Sequence, residues 1–135
     1  MADESKLTVL IVDDDDMMLN MAKYILLETE KYNILEANSG LQCLRHLQSG
    51  EEHIDVILLD IQMPGMDGIK VMELIQKHDY WRLIPVIFLT ASSDKNTVIK
   101  AGQMGAEGYI KKPFVPEELV KRVEQAVITK PVKRF

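Results

Sequence analysis

The sequence is poor in the residues that build disulfide frameworks and zinc centres. It has one cysteine, Cys43, and three scattered histidines among 135 residues. A single cysteine cannot form an internal disulfide, and no His or Cys pair stands at metal-ligand spacing, so both classes of site are excluded. Cys43 lies in the apolar pattern LQCLRHL, which predicts a small core residue in a reducing compartment.

Long apolar runs and basic clusters are also missing. The apolar runs fall far short of the ~20 residues that cross a bilayer, and the start MADESK lacks the features of a signal peptide. The formal net charge is −5, with no basic cluster before the last few residues, which argues against a nucleic-acid-binding surface. We expect a cytoplasmic chain that by itself binds neither membrane nor nucleic acid.

What the sequence does contain is a regular alternation of strand and helix patterns. Five apolar runs of strand length each precede a segment with apolar residues at helical spacing. Short loops between them predict an α/β domain with a parallel sheet and right-handed crossovers. An apolar fraction of 47% supplies one sizeable core. We expect a single domain over residues 1–129, with residues 130–135 (KPVKRF) as a frayed end or the start of a linker.

Residues 54–68, IDVILLDIQMPGMDG, are the most informative stretch. An apolar run ends at Asp60, and a loop containing Pro64, Gly65 and Gly68 follows. A strand that is apolar on both faces belongs in the middle of a parallel sheet, and such sheets bind ligands beyond the carboxyl ends of their strands. Taken alone, Asp60 is explained equally well as a turn residue.

Polar side chains stand at the ends of other strands as well. The first strand ends at Asp13 and Asp14, the fourth at Thr90 and the fifth beside Lys112. Together with Asp60 they provide three carboxylates, a hydroxyl and an ammonium. Packed carboxylates repel one another unless a cation neutralises them, and oxygen ligands suit Mg²⁺ better than zinc. The pattern predicts a magnesium and phosphoryl site.

The same residues suit aspartyl-phosphate chemistry. An ionised Asp60 can attack a phosphoryl group as a carboxylate nucleophile. The transition state carries charge on its equatorial oxygens, which a metal, Lys112 and the Thr90 hydroxyl can stabilise.

Four segments resemble the motifs of response-regulator receiver domains of two-component signalling, the CheY-like family. They are VDDD (residues 12–15), DIQMPGMDG (60–68), LTA (89–91) and GAEGYIKKPF (105–114), and they cover nearly the whole chain in the family's order. The acid, threonine and lysine of the family are spaced 30 and 22 residues apart, as Asp60, Thr90 and Lys112 are here. The resemblance implies a flavodoxin-like, three-layer doubly wound (βα)5 domain with strand order 2-1-3-4-5.

The resemblance also implies roles for the acids. Asp60 resembles the phosphorylated aspartate and a metal ligand, and Asp14 resembles a direct magnesium ligand. Asp13 resembles a holder of metal-bound water, and Gln62 offers its backbone carbonyl to the metal. Gln62 and Ser92 occupy the positions that tune the lifetime of the phosphorylated state.

Further residues resemble the phosphate-binding and switching parts of the family. Lys112 resembles the phosphate-binding lysine, and its position before Pro113, where the family has a cis peptide bond, favours it over Lys111. Thr90 and Tyr109 resemble the switch pair, in which the hydroxyl moves toward the phosphoryl group and the ring turns inward.

The resemblance predicts a phosphorylatable signalling domain rather than an enzyme with an external substrate. Its phosphoryl group would come from a sensor histidine kinase or a histidine phosphotransfer protein, and phosphorylation would alter the surface formed by the fourth helix, fifth strand and fifth helix for a downstream effector. We expect a stand-alone regulator or the receiver part of a longer protein, as a monomer or a phosphorylation-dependent dimer. Family members that dimerise through the fourth helix, fifth strand and fifth helix often have an acid at the position of Gly108. Its absence here weakens the hypothesis of such a dimer, although Arg122 on the fifth helix could serve in it.

Two alternative functions are weaker. A magnesium-dependent phosphatase of the haloacid-dehalogenase type needs a second acid two residues after its nucleophile, which works as the general acid and base. This chain has Gln62 at that position, and an amide cannot transfer the proton. A phosphorylation-independent interaction module would be expected to have lost Asp60, Lys112 or an early acid.

Overall fold

Strands and helices alternate along the chain, as the sequence pattern predicts. The structure is a computed structural model that describes residues 3–91 and 95–129. The strands are β1 (Leu7–Val12), β2 (Tyr32–Ala37), β3 (Val56–Asp60), β4 (Val86–Thr90) and β5 (Gly108–Lys111). The helices are α1 (Asp16–Leu27), α2 (Gly40–Ser49), α3 (Gly68–Gln76), α4 (Lys95–Gln103) and α5 (Pro116–Thr129), with a 3₁₀ turn at Trp81–Leu83.

The five strands form one parallel sheet in the order β2-β1-β3-β4-β5. All five residues of β3 are buried, because this strand lies in the middle of the sheet and helices cover both of its faces. The predicted fold class and strand order are confirmed.

Side chains of the strands alternate between two cores. One face of the sheet contributes Leu10, Ile57 and Leu59, which pack with residues of α2 and α3. The other face contributes Ile11 and Leu58, which pack with residues of α1 and α5. This alternation follows from the two-residue period of a strand and produces the three-layer architecture. Cys43 is fully buried in the first core, as predicted.

Local polar groups set the helix ends. The Asp15 carboxylate caps α1 by accepting from Met17 N at 2.9 Å, Ser39 Oγ caps α2, and Asp67 caps α3. Gly50 ends α2 with φ 63°, the left-handed conformation that glycine adopts most readily. For α4 the sequence offers Ser93 or Asp94 as the N-cap, and both residues lie outside the described ranges. Within the described ranges, no helix is long and apolar enough to cross a membrane.

The 3₁₀ turn after α3 was not predicted. The spacing indicates a helix to His78, whereas α3 ends at Gln76 and the His78 ring turns toward the following segment. Its Nδ1 accepts from Tyr80 N and Trp81 N, both at 3.2 Å. The ring also stacks on Trp81 with centroids 3.9 Å apart and 7° between the planes. His78 is therefore a capping residue of this connection.

We expect His78→Ala to destabilise the protein by about 1–2 kcal/mol, because two backbone N–H groups lose their acceptor and Trp81 loses a stacked ring. Urea unfolding measures this change in stability. Trp81 is the only tryptophan, so the variant should also change the folded-state emission spectrum. His46→Ala is the control and should leave the emission unchanged. Identical emission and stability in His78→Ala and the wild type would contradict this assignment.

Candidate functional site

The predicted site residues lie at one edge of the sheet. Asp13 follows the last residue of β1, Asp60 ends β3, Thr90 ends β4 and Lys112 follows β5. Because the strands are parallel, their carboxyl ends meet at this edge. Asp13 and Lys112, which are 99 positions apart in the sequence, are thereby brought together.

Three carboxylates form a tight cluster at this edge. Asp13, Asp14 and Asp60 each offer an oxygen, and these oxygens lie within 4.8 Å of one another. Asp13 and Asp60 are buried, whereas Asp14 is exposed. Buried carboxylates at this separation need a positive partner, since repulsion and lost hydration both disfavour their charges.

Lys112 supplies one positive charge. Its Nζ lies 2.6 Å from Asp13 Oδ2 and 3.4 Å from Asp60 Oδ1. Lys111, the alternative in the sequence, is an exposed residue of β5. The structure therefore selects Lys112 as the lysine that reaches the acids. The Lys112–Pro113 peptide bond is cis, as the resemblance implies.

Asp13 is oriented by the chain around it. Its N–H donates to Ala37 O at 3.0 Å, and its Oδ1 accepts from Asp15 N at 3.0 Å. Oδ2 is buried and forms no hydrogen bond of suitable geometry, so its ion pair with Lys112 is the contact the structure gives it. Sequence reasoning missed the Asp15 contribution, although an Asp accepting from the N–H two residues on is a common turn signal.

The pKa of the Asp60 carboxyl is shifted far from its ordinary value. The pKa is raised to about 7: burial is the largest cause, the Asp13 charge and a hydrogen bond involving Asp14 act in the same direction, and Lys112 opposes them. Near neutral pH the metal-free site therefore holds Asp60 partly protonated. A bound cation would favour the ionised form, because it stabilises the carboxylate and not the acid.

The loop after Asp60 passes very close to the strand end. Gly68 N donates to Ile61 O at 2.9 Å, and a Cβ at Gly68 would collide with the Asp60 carbonyl oxygen. Gly65 has φ 74°, which also favours glycine. Gln62, whose carbonyl is a predicted metal ligand, is exposed at the start of this loop. The glycines allow the loop to turn beside the acid.

Thr90 and Tyr109 occupy neighbouring strands with different exposure. Thr90 is buried, and its carbonyl accepts from Lys112 N at 2.8 Å, which ties the end of β4 to the lysine. Tyr109, on β5, is 41% exposed. Their roles as a switch pair stay predictions. Ser92, predicted to tune the phosphorylated lifetime, lies outside the described residues.

A further buried acid, Asp55, lies at the opposite end of the strands, where β3 begins. It precedes β3, accepts from Thr8 N at 2.8 Å and lies 3.3 Å from His53 Nε2. These contacts join the start of β3 to β1. Asp55 is a structural acid, separated from the cluster by the length of the strand.

The cluster fits a hard divalent cation. All its side-chain ligands are carboxylate oxygens, which Mg²⁺ prefers. The Asp14 side chain is exposed, so the cluster is open to solvent on the side where this residue lies. An ion and a phosphoryl group can therefore approach from that side.

Comparison with known proteins identifies the family. The family model described as the response regulator receiver domain matches residues 9–124. This chain belongs to the response regulator receiver domain family. The predicted resemblance is confirmed, and the chain is a CheY-like signalling domain of the kind used in two-component systems.

Curated relatives of this receiver domain include short and long proteins. It is 33% identical to the chemotaxis protein CheY of Pseudomonas aeruginosa over 117 residues, which cover 87% of this chain and 93% of the relative. It is 37% identical to the transcriptional regulatory protein SrrA of Staphylococcus aureus over 116 residues, which cover 86% of this chain and 46% of SrrA.

Solved structures agree with the fold of this receiver domain. The Clostridium thermocellum response regulator receiver domain protein has a TM-score of 0.82 and 29% identity, covering 92% of this chain and 96% of the other. The Vibrio cholerae chemotaxis protein CheY4 has a TM-score of 0.82 and 27% identity, covering 90% and 98%.

The Asp60 pKa predicts a pH-dependent stability in metal-free solution. The folded receiver domain holds this proton more tightly than the unfolded chain, whose carboxyl has a pKa near 3.8. The stabilisation is complete below about pH 4 and is lost as the pH rises through about 7. Asp60→Asn cannot titrate, so the wild type should lose on the order of 2–4 kcal/mol relative to the variant across this range. Urea unfolding at several pH values in chelator measures the difference.

Ionisable groups remote from the cluster are common to both proteins, so their contribution cancels in the difference between the two. A stability difference between the two that stays constant from pH 4 to pH 8 would contradict the raised pKa.

Proposed function

We propose that this receiver domain accepts a phosphoryl group on Asp60 from a sensor histidine kinase or a histidine phosphotransfer protein. The observation that carries the proposal is the contact of Lys112 Nζ with two buried carboxylates, at 2.6 Å from Asp13 and 3.4 Å from Asp60. An ammonium held between acids in this way is positioned to meet the negative charge of an incoming phosphoryl group. We also propose that the protein works in the cytoplasm, as expected from its sequence.

The transfer replaces one bond to phosphorus by another. An ionised Asp60 oxygen forms a bond to phosphorus while the bond from phosphorus to the donor nitrogen breaks, and its electron pair stays on the imidazole. Lys112 lies where it can stabilise one phosphoryl oxygen, and the Thr90 hydroxyl can approach another. The chain assists its own phosphorylation and dephosphorylation, and it transforms no external metabolite.

Mg²⁺ would be held by Asp14, Asp60, the Gln62 carbonyl and, through water, Asp13. When bound it supplies positive charge that favours the ionised Asp60 and neutralises the phosphoryl oxygens. The arrangement of three carboxylate oxygens within 4.8 Å supports this assignment.

Phosphorylation would then be transmitted to a downstream effector through the α4-β5-α5 surface. Thr90 ends β4 next to Lys111 of β5, and the half-exposed Tyr109 lies on β5 itself. Movement of the Thr90 hydroxyl toward the phosphoryl group would make room for the Tyr109 ring, which alters the exposed surface. Arg122 on α5 lies 3.9 Å from Glu118 and faces no acid at Gly108, so a monomer is the simpler expectation.

Incubation of the protein with acetyl phosphate and MgCl₂ should add one phosphoryl group, because a small acyl phosphate supplies the same electrophile as a phosphohistidine. Intact mass spectrometry measures the addition. Asp60→Asn should add none. Asp55→Asn is the control, since this buried acid lies at the other edge of the sheet, and it should be labelled wherever it folds. Equal labelling of Asp60→Asn and the wild type would place the acceptor elsewhere.

Magnesium binding has a separate test that needs no phosphorylation. Saturating MgCl₂ should raise the unfolding free energy, by about 2.7 kcal/mol when its concentration is 100 times the dissociation constant. Asp14→Asn should reduce this gain, because an exposed ligand is lost while the fold is kept. Asp16→Asn is the matched control, an exposed acid of the same segment outside the cluster. An equal magnesium effect in both variants would remove Asp14 from the ligand set.

A further inference from the structure

The first residue of α2, Gly40, packs directly against the start of α3. It is buried, and a Cβ at this position would lie 2.7 Å from Val71 Cγ2 and 3.0 Å from Met66 O. Non-bonded carbon atoms in good contact lie about 3.5–4.0 Å apart. Position 40 therefore has no room for a side chain while α2 and α3 stay where they are.

The groups that face Gly40 cannot easily move aside. The Val71 side chain is fully buried in the first core, and a valine in a helix has one strongly preferred χ1 rotamer. Met66 approaches Gly40 with its backbone carbonyl, which no rotamer change displaces. A side chain at position 40 would therefore shift the backbone at the start of α3 rather than one flexible group.

The start of α3 is in turn packed against the end of β3. A Cβ at Gly68, the first residue of α3, would collide with the Asp60 carbonyl oxygen and lie 2.8 Å from Ile61 Cα. Gly68 N also donates to Ile61 O at 2.9 Å. The start of α3 thus contacts both α2 and the backbone that leads from Asp60 to Gln62.

We propose that Gly40 is a positioning residue for the metal site. Because Gly40 has no side chain, α2 can pack against α3 and α3 against the end of β3. This series of close contacts fixes the backbone of Asp60 and Gln62 where they would hold Mg²⁺. The inference rests on the magnesium assignment in the proposed function, and it extends the site to a residue of α2.

The magnesium affinity of the full chain tests the inference. Gly40→Ala should raise the dissociation constant on the order of tenfold, as changes in groups that orient metal ligands do. Gly102→Ala is the matched control and should bind as the wild type does, because Gly102 is also a helical glycine and a Cβ there would meet nothing within 4 Å. Titration of ¹⁵N-labelled protein with MgCl₂, followed by amide chemical shifts, measures the constant in the folded state.

Removal of the nearest atom should partly restore binding. Combining Gly40→Ala with Val71→Ala deletes the Cγ2 contact and leaves the approach to Met66 O at 3.0 Å. The double variant should bind magnesium more tightly than Gly40→Ala and less tightly than Val71→Ala, because substitutions at residues in contact are not additive. If Gly40→Ala does not fold, the comparison of the double variant with Val71→Ala takes its place.

A metal-free measurement separates this inference from the proposed function. In chelator, the amide shifts of Ile61 and Gln62 should change in Gly40→Ala and stay the same in Gly102→Ala, because the contacts that carry the displacement are present without the metal.

Unchanged amide shifts at Ile61 and Gln62 would overturn the inference, whatever the metal does. Equal magnesium affinity of the wild type and Gly40→Ala, or of the double variant and Val71→Ala, would also overturn it. A wild type that binds no magnesium would contradict the proposed function, and the metal-free shifts would still decide whether Gly40 positions the segment after Asp60.

Discussion

The Lys112 ammonium between the buried carboxylates of Asp13 and Asp60 is the contact on which the rest of the site depends. Two ionised acids removed from water and placed side by side are strongly disfavoured, and a single lysine compensates only part of that cost. The raised pKa of Asp60 records the remainder. The site is thus prepared for additional positive charge, and a divalent cation is the chemically simplest source of it.

The scaffold makes this arrangement possible by fixing the strand ends. β1 and β3 are held in register by the ladder from Val9–Val56 to Val12–Leu59, and both lie between two apolar cores. The acids that follow are therefore presented by rigid elements rather than by loops. Gly68 contributes in a different way, because its missing side chain lets the next loop lie against the Asp60 backbone. The strand end and the loop packed against it hold Asp60 in place, while the exposed Asp14 side chain keeps the cluster open to solvent.

The molecule also separates two kinds of surface. The carboxyl edge of the sheet carries the charged chemistry, whereas an open groove between α1 and α5 has an apolar floor around Tyr24 and Val120 and an acidic rim around Glu28 and Glu124. No residue belongs to both the carboxylate cluster and the groove, so a substitution in one of these surfaces can leave the other intact. This separation is consistent with a family whose members, CheY of P. aeruginosa and SrrA of S. aureus among them, differ greatly in length while sharing this domain.

Much of the fold and the site could be predicted from the sequence, because the signals are local. The apolar runs LTVLIV and YNILEA predict the bounds of β1 and β2. The sequence offers Asn38 or Ser39 as the N-cap of α2 and Gly50 as its end, and the structure selects Ser39 and confirms Gly50. Helix ends near long-range contacts were less accurate. His78 leaves the helical pattern because its ring caps and stacks on the Trp81 segment, and no periodicity of the chain reports that contact.

By itself, the sequence determined the strand-and-helix order, the polar residues at the strand ends and the family motifs, since each depends on neighbouring residues and fixed spacing. Only the tertiary structure decided which lysine reaches the acids and how Asp15 orients Asp13. It also decided that Asp60 holds its proton to about pH 7. These properties depend on distances and burial that arise when separate strands are packed side by side, and no single segment of the chain contains them.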